Sequence, residues 1–137
     1  MTTAVFVNFP VSNLQDSTAF YQALGFKKND DFSNEESSAM VWDGNFFVML
    51  LTHNFYRKFL DHKEIPDTKL KSGALISFSM ENADAVKQFA ETAKANGGNF
   101  YELDMDIPEE HMFQLEVVDL DGNNLEPFWM DSLPALP

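Results

Sequence analysis

One order of elements, a strand followed by a helix and three further strands, is predicted twice along this chain of 137 residues. When the second half is laid over the first, Asn13 aligns with Asn82 and Phe20 with Phe89. The repeat is weak in identity, but the order of elements agrees, which is the better criterion for a structural repeat. We therefore predict a single domain over 1–137, with modules at about 1–53 and 73–131 and a linker at about 54–72.

The first module shows clear element boundaries. A β-branched and aromatic run, Ala4–Phe9, predicts a strand that ends at Pro10, because proline cannot donate to a central β-ladder. Ser12 lies three residues before Gln15, a capping-box spacing that predicts the start of a helix, and Gly25 predicts its end. Extended runs are then predicted at 26–32, 39–42 and 46–52.

The linker and the second module repeat these signals. The linker is charged and poor in apolar residues, apart from Phe55–Leu60, which predicts a short amphipathic turn of helix. Asn82 is predicted to cap the second long helix, which ends at Gly97-Gly98. Asp-Gly pairs at 43–44 and 121–122 predict tight hairpins. The remaining strands are predicted at 74–80, 100–103, 112–118 and 125–130.

Strand alternation in the last hairpin separates an apolar face from a polar one. Phe113, Leu115 and Val117 form a row suited to packing under a helix, which leaves Gln114 and Glu116 on the opposite face. On the partner strand, the residues predicted to share that opposite face are Glu126, Phe128 and Met130. The pattern predicts a cupped, semi-polar cavity with Glu126 close to Glu116 or Gln114, although a solvated strand face would give the same alternation.

Composition excludes several classes of function. A formal charge of −13 repels nucleic acid and anionic lipid surfaces. The absence of cysteine excludes disulfides, thiolate nucleophiles and thiolate metal sites. The sequence has neither the basic start of a secretory signal nor an apolar stretch of the roughly 20 residues needed to span a membrane. We therefore expect a cytoplasmic protein that binds neither nucleic acid nor membrane.

Two motifs resemble those of the vicinal-oxygen-chelate superfamily, which includes glyoxalases, bleomycin-resistance proteins and extradiol dioxygenases. The first is the opening run 9–26, with Val11, Asn13-Leu14, Phe20-Tyr21 and Leu24-Gly25-Phe26 at the matching places. The second is the hairpin 119–126, which matches the pattern Asp-x-Asp-Gly-x-x-x-Glu. The resemblance implies an α+β fold in which two βαβββ modules form a cupped mixed sheet.

The same resemblance implies that the usual metal site is absent. In metal-dependent members one ligand comes from each of four strands, and the ion polarises adjacent substrate oxygens. Carried over residue by residue, these positions fall on Phe6, Leu50, Ala74 and Glu126. Because only Glu126 can bind a cation, we predict neither a metal nor another cofactor.

Glu126 is therefore the candidate for a functional group, and two interpretations remain open. It is either a hydrated carboxylate at the mouth of a cavity, or a partly desolvated general base or anchor for a cationic ligand. His53 and His111 lack the spacing of a local chelate, and their roles stay open. The predicted ligand-binding residues are Phe6, Asn8, Leu50, Ala74, Gln114, Glu116, Glu126 and Phe128.

Three classes of function remain. The absent ligands favour a metal-free protein that binds and sequesters a partly apolar, neutral or cationic small molecule. Overall resemblance favours a metal-dependent lyase, isomerase or dioxygenase, and a structural partner protein would need an exposed apolar patch. Whether the chain is an enzyme is left open. Because superfamily members commonly assemble four modules and this chain supplies two, we expect a homodimer.

Overall fold

The computed structural model describes residues 2–133, which form nine strands, three α-helices and one 3₁₀ turn at Asp30–Phe32. The helices are α1 Leu14–Leu24, α2 His53–Arg57 and α3 Ala83–Ala95. The strands are β1 Val5–Val11, β2 Lys27–Asn29, β3 Ser37–Val41, β4 Phe46–Thr52, β5 Leu75–Ser79, β6 Asn99–Tyr101, β7 Met112–Gln114, β8 Glu116–Val118 and β9 Asn124–Met130. Within these residues no helix is long and apolar enough to cross a membrane.

The strands form two sheets of the same design. The first has the order β1-β4-β3-β2, and the second has the order β5-β9-β8-β6, with β7 also paired to β9. In each sheet the first strand of the module runs parallel to its last strand, whereas the other pairs are antiparallel. The predicted α+β architecture of two βαβββ modules is confirmed.

Strand β1 continues past the predicted end. It runs through Pro10, which pairs with Leu51, and reaches Val11. Because β1 lies at the edge of its sheet, it bonds to a neighbour on one side only, and a missing N–H is tolerated there. The prediction that the strand ends at Pro10 is therefore wrong.

The first long helix is capped one residue later than predicted. Asn13, not Ser12, is the cap, and its Oδ1 accepts a 2.9 Å bond from the backbone nitrogen of Asp16. Ser12 instead donates to Asp121. The end of the helix is as predicted, since Gly25 adopts a left-handed backbone with φ of 112°.

Two predicted strands are shorter or divided. The run 26–32 gives only β2, because the side chain of Asn29 accepts from the nitrogen of Asp31 and turns the chain into the 3₁₀ turn. The run 112–118 is divided at Leu115, whose N–H donates to the carbonyl of Pro127. Proline has no N–H to return, so the ladder is weakened there, although the pairing register is the same on both sides.

One apolar core joins the modules. Helices α1 and α3 pack against each other and against the strands of their own sheets. At the junction the ring of Trp42 lies 5.6 Å from that of Phe78 and 5.8 Å from that of Phe89, so aromatic side chains of both modules form one cluster. Such offset and edge-on contacts add to the free energy gained from burying the rings.

Candidate functional site

Two carboxylates face each other across the last hairpin. The register places Glu116 of β8 opposite Glu126 of β9, and both side chains project from the face that the helices leave uncovered. Glu116 is 3% exposed and Glu126 is 9% exposed. Leu115, Val117 and Leu125 lie on the other face, within the core, so the predicted separation of the faces is confirmed.

Neutral donors hold this pair together. The Nε2 of Gln114 donates to Glu116 Oε1 at 2.9 Å and to Glu126 Oε2 at 3.2 Å. The hydroxyl of Ser77, on the neighbouring strand β5, donates to Glu126 Oε1 at 2.6 Å. The second oxygen of Glu116, Oε2, is buried and has no hydrogen-bond partner in the part of the chain that the structure describes. We call these four residues, Ser77, Gln114, Glu116 and Glu126, the carboxylate cluster.

The buried position of Glu116 favours the protonated form of its carboxyl group. Desolvation by burial raises the pKa of Glu116 to about 7, and the neighbouring carboxylate of Glu126 acts in the same direction. Two ionised carboxylates directly opposed on one face repel each other. The pair is therefore more stable when Glu116 carries a proton than when both carboxyl groups are ionised. Ionisation of Glu116 introduces a buried charge that no neighbouring cation compensates within residues 2–133.

Of the other predicted residues of the second module, Phe128 lies beside this cluster and Ala74 does not. Phe128 is half-buried and pairs with Gln114 and with Ser79 in the register of the second sheet. Ala74 is exposed just before β5 and lines a cleft of about 190 Å³ beside the edge strand β1. Ala74 is therefore separated from the cluster and shares its cleft with Asn8.

In the first module, Phe6 and Leu50, both predicted to bind the ligand, lie on opposite faces of the sheet. Phe6 is 55% exposed, and its ring stacks on that of Phe47 with centroids 4.4 Å apart. Leu50 is fully buried in the core, where it cannot contact a ligand on the Phe6 face. Its placement in the ligand-binding set is wrong, because alternation along β4 turns Phe47 and Met49 towards the side of Phe6 and Asn8.

A groove adjoins the cluster on the side of Gln114. It has a volume of about 610 Å³ and follows the loop between β6 and β7. Acidic and apolar side chains alternate along that loop: Glu102, Leu103, Asp104, Met105, Asp106 and Ile107. Gln114, together with Met112 and Phe113, forms the wall of the groove nearest to the two buried carboxylates. Sequence reasoning missed this groove, since a polar loop carries no local signal of a cavity.

The donor set does not fit the superfamily's metal. Between residues 2 and 133, no three His, Asp or Glu side chains lie close enough together to hold an ion. Both oxygens of Glu126 already accept hydrogen bonds, and the exposed side chain at the first-strand position is the phenyl ring of Phe6. A divalent ion needs several oxygen or imidazole ligands to replace its hydration shell, and this face offers one pair of carboxylates held by neutral donors.

The histidines lie away from the cluster. His111 Nδ1 lies 2.9 Å from Asp131 Oδ2 on an exposed part of the surface. His53 opens α2 and lines a separate groove with Arg57 and Asp121.

The Asp-x-Asp-Gly motif of the last hairpin has a structural function that sequence reasoning missed. Asp119 Oδ1 accepts from the backbone nitrogens of Asp121 and Asn123, both at 2.9 Å, and fixes the turn. Its Oδ2 accepts a 2.8 Å bond from the hydroxyl of Tyr21, on the buried face of α1. Asp121 Oδ1 accepts from the nitrogen of Ser12 at 3.0 Å. The motif thus ties the second module to the start of the first helix.

The fold agrees with a match to known proteins. A model of the Glyoxalase/Bleomycin resistance protein/Dioxygenase superfamily matches residues 3–126, and the chain belongs to this superfamily. No curated protein matches the sequence.

Solved structures show the same fold at low identity. A hypothetical protein from S. aureus is 20% identical with a TM-score of 0.75, the match covering 94% of this chain and 95% of that one. A glyoxalase/bleomycin resistance protein/dioxygenase family enzyme from Burkholderia phytofirmans is 17% identical with a TM-score of 0.72, covering 94% and 99%. The fosfomycin resistance protein FosX from Listeria monocytogenes is 16% identical with a TM-score of 0.65, covering 99% and 96%.

Proposed function

We propose that this protein binds a small organic molecule on the uncovered face of its second sheet and uses no catalytic metal. The observation that supports this proposal is the carboxylate cluster. Its carboxylates are held by Gln114 and Ser77, whereas metal-dependent members of the superfamily present such a group to an ion. A buried polar group surrounded by apolar surface is the usual arrangement for fixing the orientation of a small ligand.

The surroundings of the cluster suit a ligand with an apolar part. Large apolar side chains remain exposed on or beside the uncovered faces, and they include Phe6, Leu75, Tyr101 and Leu103. Tyr101 pairs with Glu116 in the register of the sheet, so an aromatic ring adjoins the polar cluster. A molecule that covers these side chains gains free energy from desolvation, at about 25 cal/mol for each Å² of apolar surface buried.

We also propose a homodimer as the working assembly, in the cytoplasm. Two modules in one chain would become four in a dimer, and Phe59 of the linker remains 69% exposed beside the ring of Phe55. Exposed aromatic and aliphatic side chains of this size are typical of surfaces that associate. A second chain would also cover part of the uncovered face and complete the walls around a ligand.

A ligand screen tests the proposed function directly. Thermal unfolding of the purified protein is measured with a library of metabolite-like and drug-like molecules, each with and without EDTA. We expect apolar molecules with a polar group to raise the midpoint equally in both conditions, because a ligand that binds only the folded state stabilises it. The matched variant Glu126→Gln should reduce the shift, whereas Glu91→Gln, on the exposed surface of α3, should not. Stabilisation that requires a metal ion would contradict the proposal.

A further inference from the structure

The groove and the carboxylate cluster adjoin each other at one residue. Gln114 is the residue that belongs to both, since its side chain lines the groove and its Nε2 lies between the two carboxylates. If the side chain of Gln114 turns into the groove, the space between Glu116 and Glu126 opens to it. The position of that amide nitrogen therefore marks where the nitrogen of a ligand would lie.

We propose that this site selects molecules with a primary ammonium group attached to an apolar body, and that the ammonium replaces the Gln114 amide between Glu116 and Glu126. This inference rests on the proposed binding function and names its ligand class.

The buried oxygen of Glu116 is the first reason. Glu116 Oε2 lacks a partner among residues 2–133, and when the carboxyl group is ionised, a buried acceptor without a hydrogen bond destabilises the state that contains it. The Gln114 amide already donates to Glu116 Oε1 and Glu126 Oε2. An ammonium group placed there has up to three donors, enough to make both of these bonds and to satisfy Oε2 as well.

Charge is the second reason. Neither Glu116 nor Glu126 forms a salt bridge with any residue between 2 and 133, and all their hydrogen bonds come from neutral groups. Hydrogen bonds in which the donor or the acceptor is ionised are about twice as strong as neutral ones, and a cation adds direct attraction to the charge of the carboxylates. A cation would therefore gain more from this pair than an alcohol or an amide of the same shape.

The groove supplies the third reason. Leu103, Met105 and Ile107 are each about half exposed along it, and Glu102, Asp104 and Asp106 alternate with them. The apolar side chains would contact the body of the ligand, while the acidic ones and the net charge of −13 attract its cationic end.

The test uses three probes of matched shape: 4-phenylbutylamine, 4-phenylbutanol and 4-phenylbutyrate. Binding to the full chain is measured by calorimetry at pH 7.5. We expect the amine to bind at least about tenfold more tightly than the alcohol, and the carboxylate to bind most weakly. In the double variant Glu116→Gln, Glu126→Gln the amine should lose that advantage, so that the amine and the alcohol bind with similar affinity. Gln114→Ala should strengthen binding of the amine, because the ligand no longer displaces a side chain.

The controls separate this inference from the proposed function. Glu91→Gln removes one exposed charge and should leave all three affinities unchanged. Equal affinity for amine and alcohol would overturn the ammonium proposal and leave the binding function standing. Failure of the amine to bind would overturn it as well, while the ligand screen would still decide the function. If manganese or zinc chloride competes with the amine and the metal ion binds as tightly as the amine, the cluster would instead be assigned to a metal ion.

Discussion

The hydroxyl of Tyr21 donates a 2.8 Å hydrogen bond to Asp119, a residue 98 positions later in the chain. Burial raises the pKa of the Tyr21 phenol well above its ordinary value, with the nearby charge of Asp119 as a second cause, and burial also raises the pKa of Asp119. The bond connects helix α1 of the first module to the final hairpin of the second. It therefore helps to hold the modules in one arrangement.

Loss of this bond should destabilise the whole domain. We expect Tyr21→Phe to lower the free energy of unfolding by about 1–2 kcal/mol, because Asp119 Oδ2, an oxygen of a buried carboxylate, then loses the shorter of its two hydrogen bonds and keeps only the one from Asn123. Urea denaturation followed by tryptophan fluorescence measures the change. Tyr101→Phe, which alters a phenol that is half exposed, should have little effect. Equal effects of the two variants would show that the buried bond adds nothing.

The carboxylate pair should make stability depend on pH. The folded-state pKa of Glu116, about 7, lies above its ordinary value of 4.5, so the folded state binds the proton more tightly than the unfolded state. This group's favourable contribution is complete below the unfolded pKa and is lost as the pH rises through about 7. We expect Glu116→Gln to be more stable than the parent protein by about 1 kcal/mol at pH 8.5, with a smaller difference at pH 5.

The measurement is a series of urea titrations from pH 5 to pH 8.5, with Glu91→Gln as the control for loss of one negative charge. Parallel pH profiles for the parent and Glu116→Gln would show that Glu116 titrates normally and that the pair does not share a proton.

The turn at Gly122 should tolerate no side chain. Its backbone has φ of 87°, and a Cβ placed there would overlap the carbonyl oxygen of Thr68, in the linker that crosses the hairpin. We expect Gly122→Ala to cost about 2 kcal/mol or more, since both the backbone and the linker must move. Gly44→Ala is the matched control, because nothing lies within 4 Å of a Cβ at that hairpin. Similar melting midpoints for both variants would disprove the close contact.

The protein should retain no stoichiometric metal at the superfamily's site. The test is to equilibrate it with nickel, zinc, manganese and iron, remove free ion, and assay metal content and turnover of the glutathione–methylglyoxal hemithioacetal. We expect well under one ion per chain and no turnover, because the carboxylate cluster lacks further oxygen or imidazole ligands. One ion per chain, lost in Glu126→Gln and accompanied by turnover, would identify a metal enzyme.

Light scattering should give twice the chain mass of 15.6 kDa at micromolar concentration. The expectation depends on the exposed apolar side chains of the linker and of the uncovered faces. The variant Phe59→Ser should weaken association if the linker lies in the interface. A mass near 15.6 kDa for the parent protein would exclude the homodimer.

Much of the architecture could be predicted from local patterns. The order of the elements, the helix ends at Gly25 and Gly97, and the two faces of the last hairpin depend on periodicity and on residues close in sequence. Leu50 was assigned to the wrong face because the position was carried over by motif spacing, and a shift of one residue in a strand exchanges its faces.

The contacts that define the candidate site could not be predicted in the same way. The pairing of Glu116 with Glu126 depends on the register of a hairpin, and their partner Ser77 comes from a strand 49 residues away from Glu126. Ser12 looked like a helix cap because Gln15 stood at the right spacing, yet its partner lies 109 residues away. Distant pairs of this kind leave no periodic signal in one sequence.

The bond between Ser12 and Asp121 also has a consequence for the order of folding during synthesis. The start of α1 is translated before its partner carboxylate, which follows 109 residues later. Until then the first module has no second module against which to bury Phe20 and Tyr21, so it emerges with those side chains unprotected. Contacts between distant parts of a chain also slow folding, because a long loop must close before they form. The nascent chain therefore reaches its stable form only when its last hairpin is complete.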